Sequence, residues 1–371
     1  MKFALFYEIP VARPWTPGKE HQAYKDVIEQ AVFGEEMGFH SFWTVEHHFL
    51  EEFSHCSNPE VLYGAIAART SKLRIGYGVR LTPKPYNHPV RTAESVAVLD
   101  LISDGRVEFG TGRSATRLEL EGFGIDPHQT REMLSEALDH IVGCWTHDEW
   151  EFQGKFWSMP KRRVLPKPLQ QPHPPIWSAT TSLDGHYEIG KMGVGLLSFA
   201  VGVPPEDLIP RVAAYRKGQS ECRKPKGAFR NDRVVTFTMA HCSDTNESAF
   251  AEAAESMVWY PKRGSKIIAD LADYAKTFRE DLGTYHYAGD MKQMQQSGAL
   301  DLLTFDYIRD TGAAMVGDPD RCIELAKRYQ AAGCDLLFCL LNPYKMTHEQ
   351  VMHSIELLGK HVIPELDRDV F

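Results

Sequence analysis

Three short stretches hold residue types able to do chemistry. The first is "FWTVEHHF", residues 42–49, where an apolar, β-branched run meets Glu46, His47 and His48. Histidine titrates near neutral pH and is the usual general acid or base. If the strand continues through the pair, Glu46 and His48 share one face and His47 takes the other. The two imidazoles then do not work as a matched pair. Nor do neighbouring positions converge on a metal, which needs three or four ligands. "SHCSNPE" adds His55 and Cys56 without ligand spacing, so no metal site is expected. A plain role at the strand end, bonding a carbonyl, stands beside the chemical one.

The second stretch is "SATTSLDG", with Thr180, Thr181, Ser182 and Gly185 leading into a helix. Backbone N–H groups and hydroxyls at a helix start suit a phosphate. Ordinary Ser/Thr capping explains the same residues. The third is "FGTGRSATR", in which Gly110 and Gly112 flank a threonine and Arg113 and Ser114 follow. Arg113 opposite the Thr-Thr-Ser run would make a charged phosphate clamp. Glycine inside a strand marks close approach of a backbone or ligand, or a barrel bulge. "IGYGVR", containing Gly78 and Val79, repeats the trait, and together the two predict a slot for something planar.

These stretches need a scaffold that puts strand ends on one face. "KFALFYEI", "SFWTVEH", "LRIGYGVRL", "RVEFGTG", "PIWSAT", "GVGLLSFA", "RVVTFTMAH" and "CDLLFCLL" read as strands, with helix-period segments between them. Such alternation implies right-handed crossovers and a parallel sheet. The strand count favours an α/β protein of the (β/α)8 barrel type, the TIM barrel, with its site at the strand C-terminal ends. No G-x-G-x-x-G follows the first strand to support an open, doubly wound sheet. Residues 1–371 are expected to form a single barrel domain. The 245–317 region is an insertion too long for a simple connection, and such insertions often act as lids. A hairpin turning at Gly154 precedes a proline-rich surface crossing.

The net charge of −9 and the absence of a long basic run argue against nucleic acid and anionic membrane surfaces. The seven cysteines form no C-x-x-C and are odd in number, which argues against a disulfide framework or zinc knuckle and points to reduced thiols in the cytoplasm. Glu8 and Pro10 cut short the apolar N-terminal run, which therefore reads as a strand rather than a signal peptide.

The blocks "GFHSFWTVEHHF", "SNPEVLYGAIAARTSKLRIGYGVRL", "HPVRTAESVAVLDLISDGRVEFGTGRS" and "GDPDRCIELAKRYQAAGCDLLFCLL" stand in order along the chain. Together they resemble the bacterial luciferase-like family of flavin-dependent monooxygenases, over most of the chain apart from 245–317. The resemblance implies a barrel that takes reduced FMN from a separate NAD(P)H:flavin reductase and uses O2 to oxidise an organic substrate. It implies a catalytic role in proton transfer for His47. It also implies phosphate contacts for Arg113, Thr181 and Ser182, and a cis peptide at Gly78–Val79 beside the flavin. The expected cofactor-binding set is Gly78, Val79, Arg113, Ser114, Thr180, Thr181, Ser182 and Gly185. The family's subunits commonly pair, so a homodimer is expected. Gly112 stands where the light-emitting members carry a reactive cysteine, which argues against bioluminescence. Phe6, Trp43, Tyr77 and Phe199 either line a pocket for a small, largely apolar substrate or pack the core. The alternative on the same fold is a deazaflavin-dependent oxidoreductase.

Overall fold

The eight expected strands all form and close into a ring. They are β1 (Lys2–Tyr7), β2 (Ser41–Thr44), β3 (Arg74–Tyr77), β4 (Val107–Gly112), β5 (Ile176–Thr180), β6 (Gly195–Ser198), β7 (Val234–Cys242) and β8 (Leu336–Leu340). Each pairs in parallel with the next, and β8 returns to β1 from Lys2↔Leu336 to Phe6↔Leu340. The chain is therefore a (β/α)8 barrel. The structure is a computed structural model that describes residues 1–367.

The strands are buried on both faces, as parallel strands under crossover helices must be. Every residue of β4 and β7 is buried. The barrel interior is packed with rings: Phe6 on Phe338 at 5.1 Å, Trp43 on Phe338 at 4.8 Å, and Trp43 edge-on to Trp177 at 6.0 Å. Small residues make room for them. A Cβ on Gly76 would lie 2.0 Å from the Trp43 ring, and one on Gly195 would lie 2.2 Å from the Trp177 ring. The first connecting helix, Lys19–Glu36, buries Val27 and Ala31, and the chain leaves it through Gly38 at φ +85°. That left-handed position is where glycine ends a helix at least cost.

Three departures from the sequence expectation matter for the site. β2 stops at Thr44, so Val45–His48 are not strand. The third strand is interrupted after Tyr77 and resumes only at Arg80–Leu81, which pairs with Thr111 and Gly112. The break itself contains the cis peptide that the family resemblance implies at Gly78–Val79. An extra short strand, Met315–Gly317, pairs with the end of β7 outside the ring. The 245–317 insertion is mostly helical, over Asn246–Ala269, Leu271–Lys276, His286–Gln296 and Phe305–Thr311. The hairpin is present as Trp150–Gln153 against Ser158–Arg162, with Gly154 N–H donating to the Trp157 carbonyl at 2.8 Å. All seven cysteines are free and buried. No described helix is long and apolar enough to cross a membrane.

Candidate active site

Beyond Thr44 the chain turns across the barrel mouth. Val45 N–H still bonds the Tyr7 carbonyl, at 3.4 Å, and His47 N–H bonds the Cys56 carbonyl at 2.9 Å. The side-chain alternation expected of a continuing strand therefore has no strand behind it. The two histidines are nonetheless separated, by their partners rather than by pleat.

His47 Nδ1 meets Glu119 Oε1 at 2.8 Å, and its Nε2 lies 3.6 Å from Glu8 Oε2. Glu119 belongs to the helix Arg117–Gly122 after β4 and is fully buried. Ser114 Oγ and Thr116 Oγ donate to its Oε2 at 2.6 and 2.7 Å, and His48 N–H donates to its Oε1 at 3.0 Å. Glu8 follows β1 directly. The Tyr260 hydroxyl donates to its Oε1 at 2.8 Å, while its Oε2 is buried with no hydrogen-bond partner. Tyr260 comes from the insertion helix Asn246–Ala269, and Phe53 stacks on it at 5.0 Å.

This arrangement sets the charges. Burial alone would push the His47 imidazolium down, but the Glu119 and Glu8 carboxyls outweigh it and raise the group from 6.5 to about 9. Burial pushes the Glu119 carboxyl up, yet the His47 cation and the donated hydrogen bonds hold it below its ordinary value. Burial dominates at Glu8 and raises it, against the opposing pull of His47 and Tyr260. At neutral pH the site therefore holds a histidine cation on an ionised Glu119.

His48 has a different setting. It stacks on Tyr86 at 5.8 Å and sits edge-on to Phe123 at 5.0 Å, with Nε2 3.6 Å from Glu46 Oε1. Glu46 accepts from Leu81 N–H and from Asn87 Nδ2, each at 2.9 Å, and so pins the loop after the third strand. Among the described residues no group of three or more His, Cys, Asp or Glu side chains is placed to hold a metal.

The glycines of the neighbouring strands have packing reasons. A Cβ on Gly110 would lie 1.9 Å from the Tyr77 carbonyl oxygen, and one on Gly112 would lie 2.3 Å from Val79 Cγ2. Close backbone approach thus accounts for Gly110, and Val79 fills the space beside Gly112. These glycines do not by themselves require a planar ligand. Of the four rings expected to line a pocket or the core, Phe6, Trp43 and Tyr77 are fully buried and Phe199 is half-buried, 5.5 Å from Phe6. The core role holds for the first three.

At the end of β5 the capping role is what the hydrogen bonds show. Ser182 caps the helix Leu183–Met192 by accepting from Gly185 N–H at 3.1 Å, and Thr180 Oγ accepts from Ser182 N–H at 3.3 Å. A Cβ on Gly185 would strike Thr180 Oγ at 1.9 Å, so glycine is needed for the cap to close. Thr181 differs: its Oγ is buried and faces the Tyr287 phenol rather than the cap. Arg113 donates to Thr130 Oγ at 3.1 Å and to Thr284 Oγ and carbonyl at 2.6 and 3.2 Å, and its guanidinium lies 4.2 Å over the Tyr285 ring. The Tyr285 hydroxyl in turn donates to the Ser114 carbonyl at 2.9 Å. The insertion is thereby strapped onto the mouth at Arg113 and Ser114. Arg131 stands close enough to Arg113 for burial and that second cation to lower it, opposed by Glu188 and Asp184. The buried Tyr287 phenol feels Arg113, Arg131 and Thr181 together.

The profile of the luciferase-like monooxygenases matches residues 1–336. The chain belongs to the luciferase-like monooxygenase family. The family's members are monooxygenases, and this chain is an enzyme of that kind. It is 27% identical to the oxygenase component of a flavin-dependent trigonelline monooxygenase from Acinetobacter baylyi, over 98% of this chain and 95% of that one. The oxygenating constituent of 3,6-diketocamphane monooxygenase from Pseudomonas putida, solved with FMN, superposes with a TM-score of 0.77 at 20% identity, covering 99% of both chains. An F420-dependent secondary alcohol dehydrogenase, solved with an F420-acetone adduct, superposes with a TM-score of 0.72 at 19% identity, again over 99% of both. At those identities the two structures speak for the fold alone.

Sequence reasoning missed Glu8, Glu119, Tyr260, Arg131 and the strap residues Thr284 and Tyr285. Glu8 had a signal, since the rule that singles out strand ends applies to β1 as it does to β2. Glu119 had a weaker one, because "TRLE" is a capping-box pattern directly after β4. The others lie far along the chain, with nothing local to mark them.

Proposed function

We propose that this protein is the oxygenase component of a two-component, FMN-dependent monooxygenase that uses reduced FMN and O2 to oxidise a small organic compound. The observation that carries the reading is the place of His47 at the barrel mouth, between Glu119 and Glu8. The full-length similarity to a named oxygenase component supports it. In this reading an NAD(P)H:flavin reductase supplies the reduced flavin in the cytoplasm.

The residues present fit a phosphate-bearing cofactor. Thr181 Oγ is a buried hydroxyl beside the Tyr287 phenol, and two arginines, Arg113 and Arg131, share its neighbourhood. A helix N-terminus capped by Ser182 adds its dipole. Arg113, Thr181 and Ser182 would hold the phosphate, with Ser114, Thr180 and Gly185 shaping the cradle and Gly78–Val79 flanking the ring. When bound, reduced FMN supplies the electrons for oxygen activation. The chain's own part is to hold a proton at His47 Nε2, to orient the cofactor, and to keep water out. The 245–317 insertion acts as the lid, through Tyr260 on Glu8 and Thr284 on Arg113.

Anaerobic titration of the flavin-free protein with reduced FMN and with a reduced deazaflavin tests the cofactor. Tighter binding of FMN is expected, followed by reductase-coupled oxygen uptake that yields a product one oxygen heavier. Preference for the deazaflavin, or a product that has gained no oxygen, would move the protein to the hydride-transferring branch.

The homodimer also has a surface to form on. Val61 on the helix Pro59–Ala67 and Val98, Leu101 and Ile102 on the helix Pro89–Ile102 are exposed apolar residues. Sedimentation should give twice the chain mass of 42.0 kDa. Leu101→Glu should shift the protein to the monomer, and an unchanged dimer would place the interface elsewhere.

A further inference from the structure

Glu119 has a partner at each of its carboxyl oxygens. Its Oε2 accepts from two hydroxyls, Ser114 and Thr116, and its Oε1 accepts from His48 N–H and faces His47 Nδ1. The backbone N–H can only donate, and both hydroxyls can turn to do so. A carboxylate receiving these bonds is an acceptor at each oxygen. The fourth partner must then also donate, which puts a hydrogen on His47 Nδ1. The other ring nitrogen is left for exchange. His47 Nε2 faces Glu8 Oε2 at 3.6 Å, and that oxygen is buried with no partner. At 3.6 Å the two groups face each other as an ion-pair contact rather than a hydrogen bond.

We propose that Glu119 is the positioning residue of this site: it holds His47 by Nδ1, so that Nε2 alone carries the proton exchanged at the barrel mouth, opposite Glu8. This rests on the reading of His47 as the group that handles protons. The titratable groups facing the imidazole are Glu119 from the helix after β4, Glu8 from the end of β1 with Tyr260 bonded behind it, and Glu46 from its own segment. All three carboxyls favour the cation. Of the three, only Glu119 bonds the ring directly, so it decides which nitrogen is free. A merely structural Glu119 would anchor the 114–119 turn without dictating the imidazole tautomer.

Nitrogen-15 spectra of histidine-labelled, flavin-free protein test this without any catalytic readout. In the wild type the neutral ring is expected as the Nδ1–H tautomer, with a titration midpoint near 9. Glu119→Gln should lower that midpoint by about one unit or more, and Glu119→Asp should restore part of it. The alkaline limb of the coupled oxidation should move down in pH by the same amount. An Nε2–H tautomer in the wild type, or an unmoved midpoint in folded Glu119→Gln, overturns the proposal. The wild-type tautomer decides the matter if that variant fails to fold. Because the spectra need no cofactor, a protein that shows the expected tautomer yet neither binds FMN nor oxygenates would sink the proposed function alone.

Discussion

His47→Ala should keep FMN binding within a few-fold of wild type and lose coupled oxidation by about 10²- to 10⁴-fold, the usual contribution of a placed general acid or base. The reductase should still consume its nicotinamide, and more hydrogen peroxide should be released, because the protonating group is gone while the cofactor cradle is intact. The substitution also removes the cation between two buried carboxyls. Glu119 keeps its bonds from Ser114, Thr116 and His48 N–H, whereas Glu8 keeps only Tyr260. Burial is then less opposed at both acids, and their protonation should rise. Stability must therefore be measured alongside activity, and His47→Gln, which keeps a donor, serves as a control. A variant that oxidises substrate as fast as wild type would remove His47 from the mechanism.

The same pair has a pH signature. The His47 midpoint is raised in the folded state, from 6.5 to about 9. Its contribution to stability is thus complete below about 6.5 and is lost as pH rises through about 9. Glu119 is lowered, so its contribution is present above its ordinary value near 4.5 and is lost as pH falls further. Thermal unfolding should show both losses in wild type, and the alkaline one should vanish in His47→Ala.

Arg113→Ala should weaken FMN binding by about 10- to 100-fold, as expected for loss of a charge-assisted hydrogen bond of roughly 1.5–3 kcal/mol. Arg113 has a second job, since it ties Thr284 and Tyr285 to the mouth. Two comparisons separate the roles. Riboflavin lacks the phosphate, so the wild type should prefer FMN strongly and the variant should bind the two nearly alike. Thr284→Val loosens the strap while keeping the guanidinium, and it should preserve the preference for FMN. If Thr284→Val loses as much FMN affinity as Arg113→Ala, or if Arg113→Ala still discriminates against riboflavin, Arg113 is a strap anchor and not the phosphate ligand.

The barrel is legible in the amino-acid sequence. Eight apolar strands separated by amphipathic helices have few other ways to bury themselves, and that pattern is written locally, residue by residue. It also placed His47, Arg113 and Thr181 at the open end, because the C-terminal ends of parallel strands share one face. Which side chains meet there is settled by how the chain packs in three dimensions. The strand ends at Thr44, so pleat could not predict where His47 points. Its partner Glu119 lies 72 residues on, and the Tyr260 that completes Glu8 lies 252 residues from it. Closure of the ring and folding of the insertion over it bring these groups together. Periodicity records which face of an element is buried, but it carries no information about which distant side chain arrives opposite it. The "EHH" run is for that reason legible as a place for chemistry, while Glu8 and Glu119 are legible at most as polar residues near strand ends and not as the partners of His47.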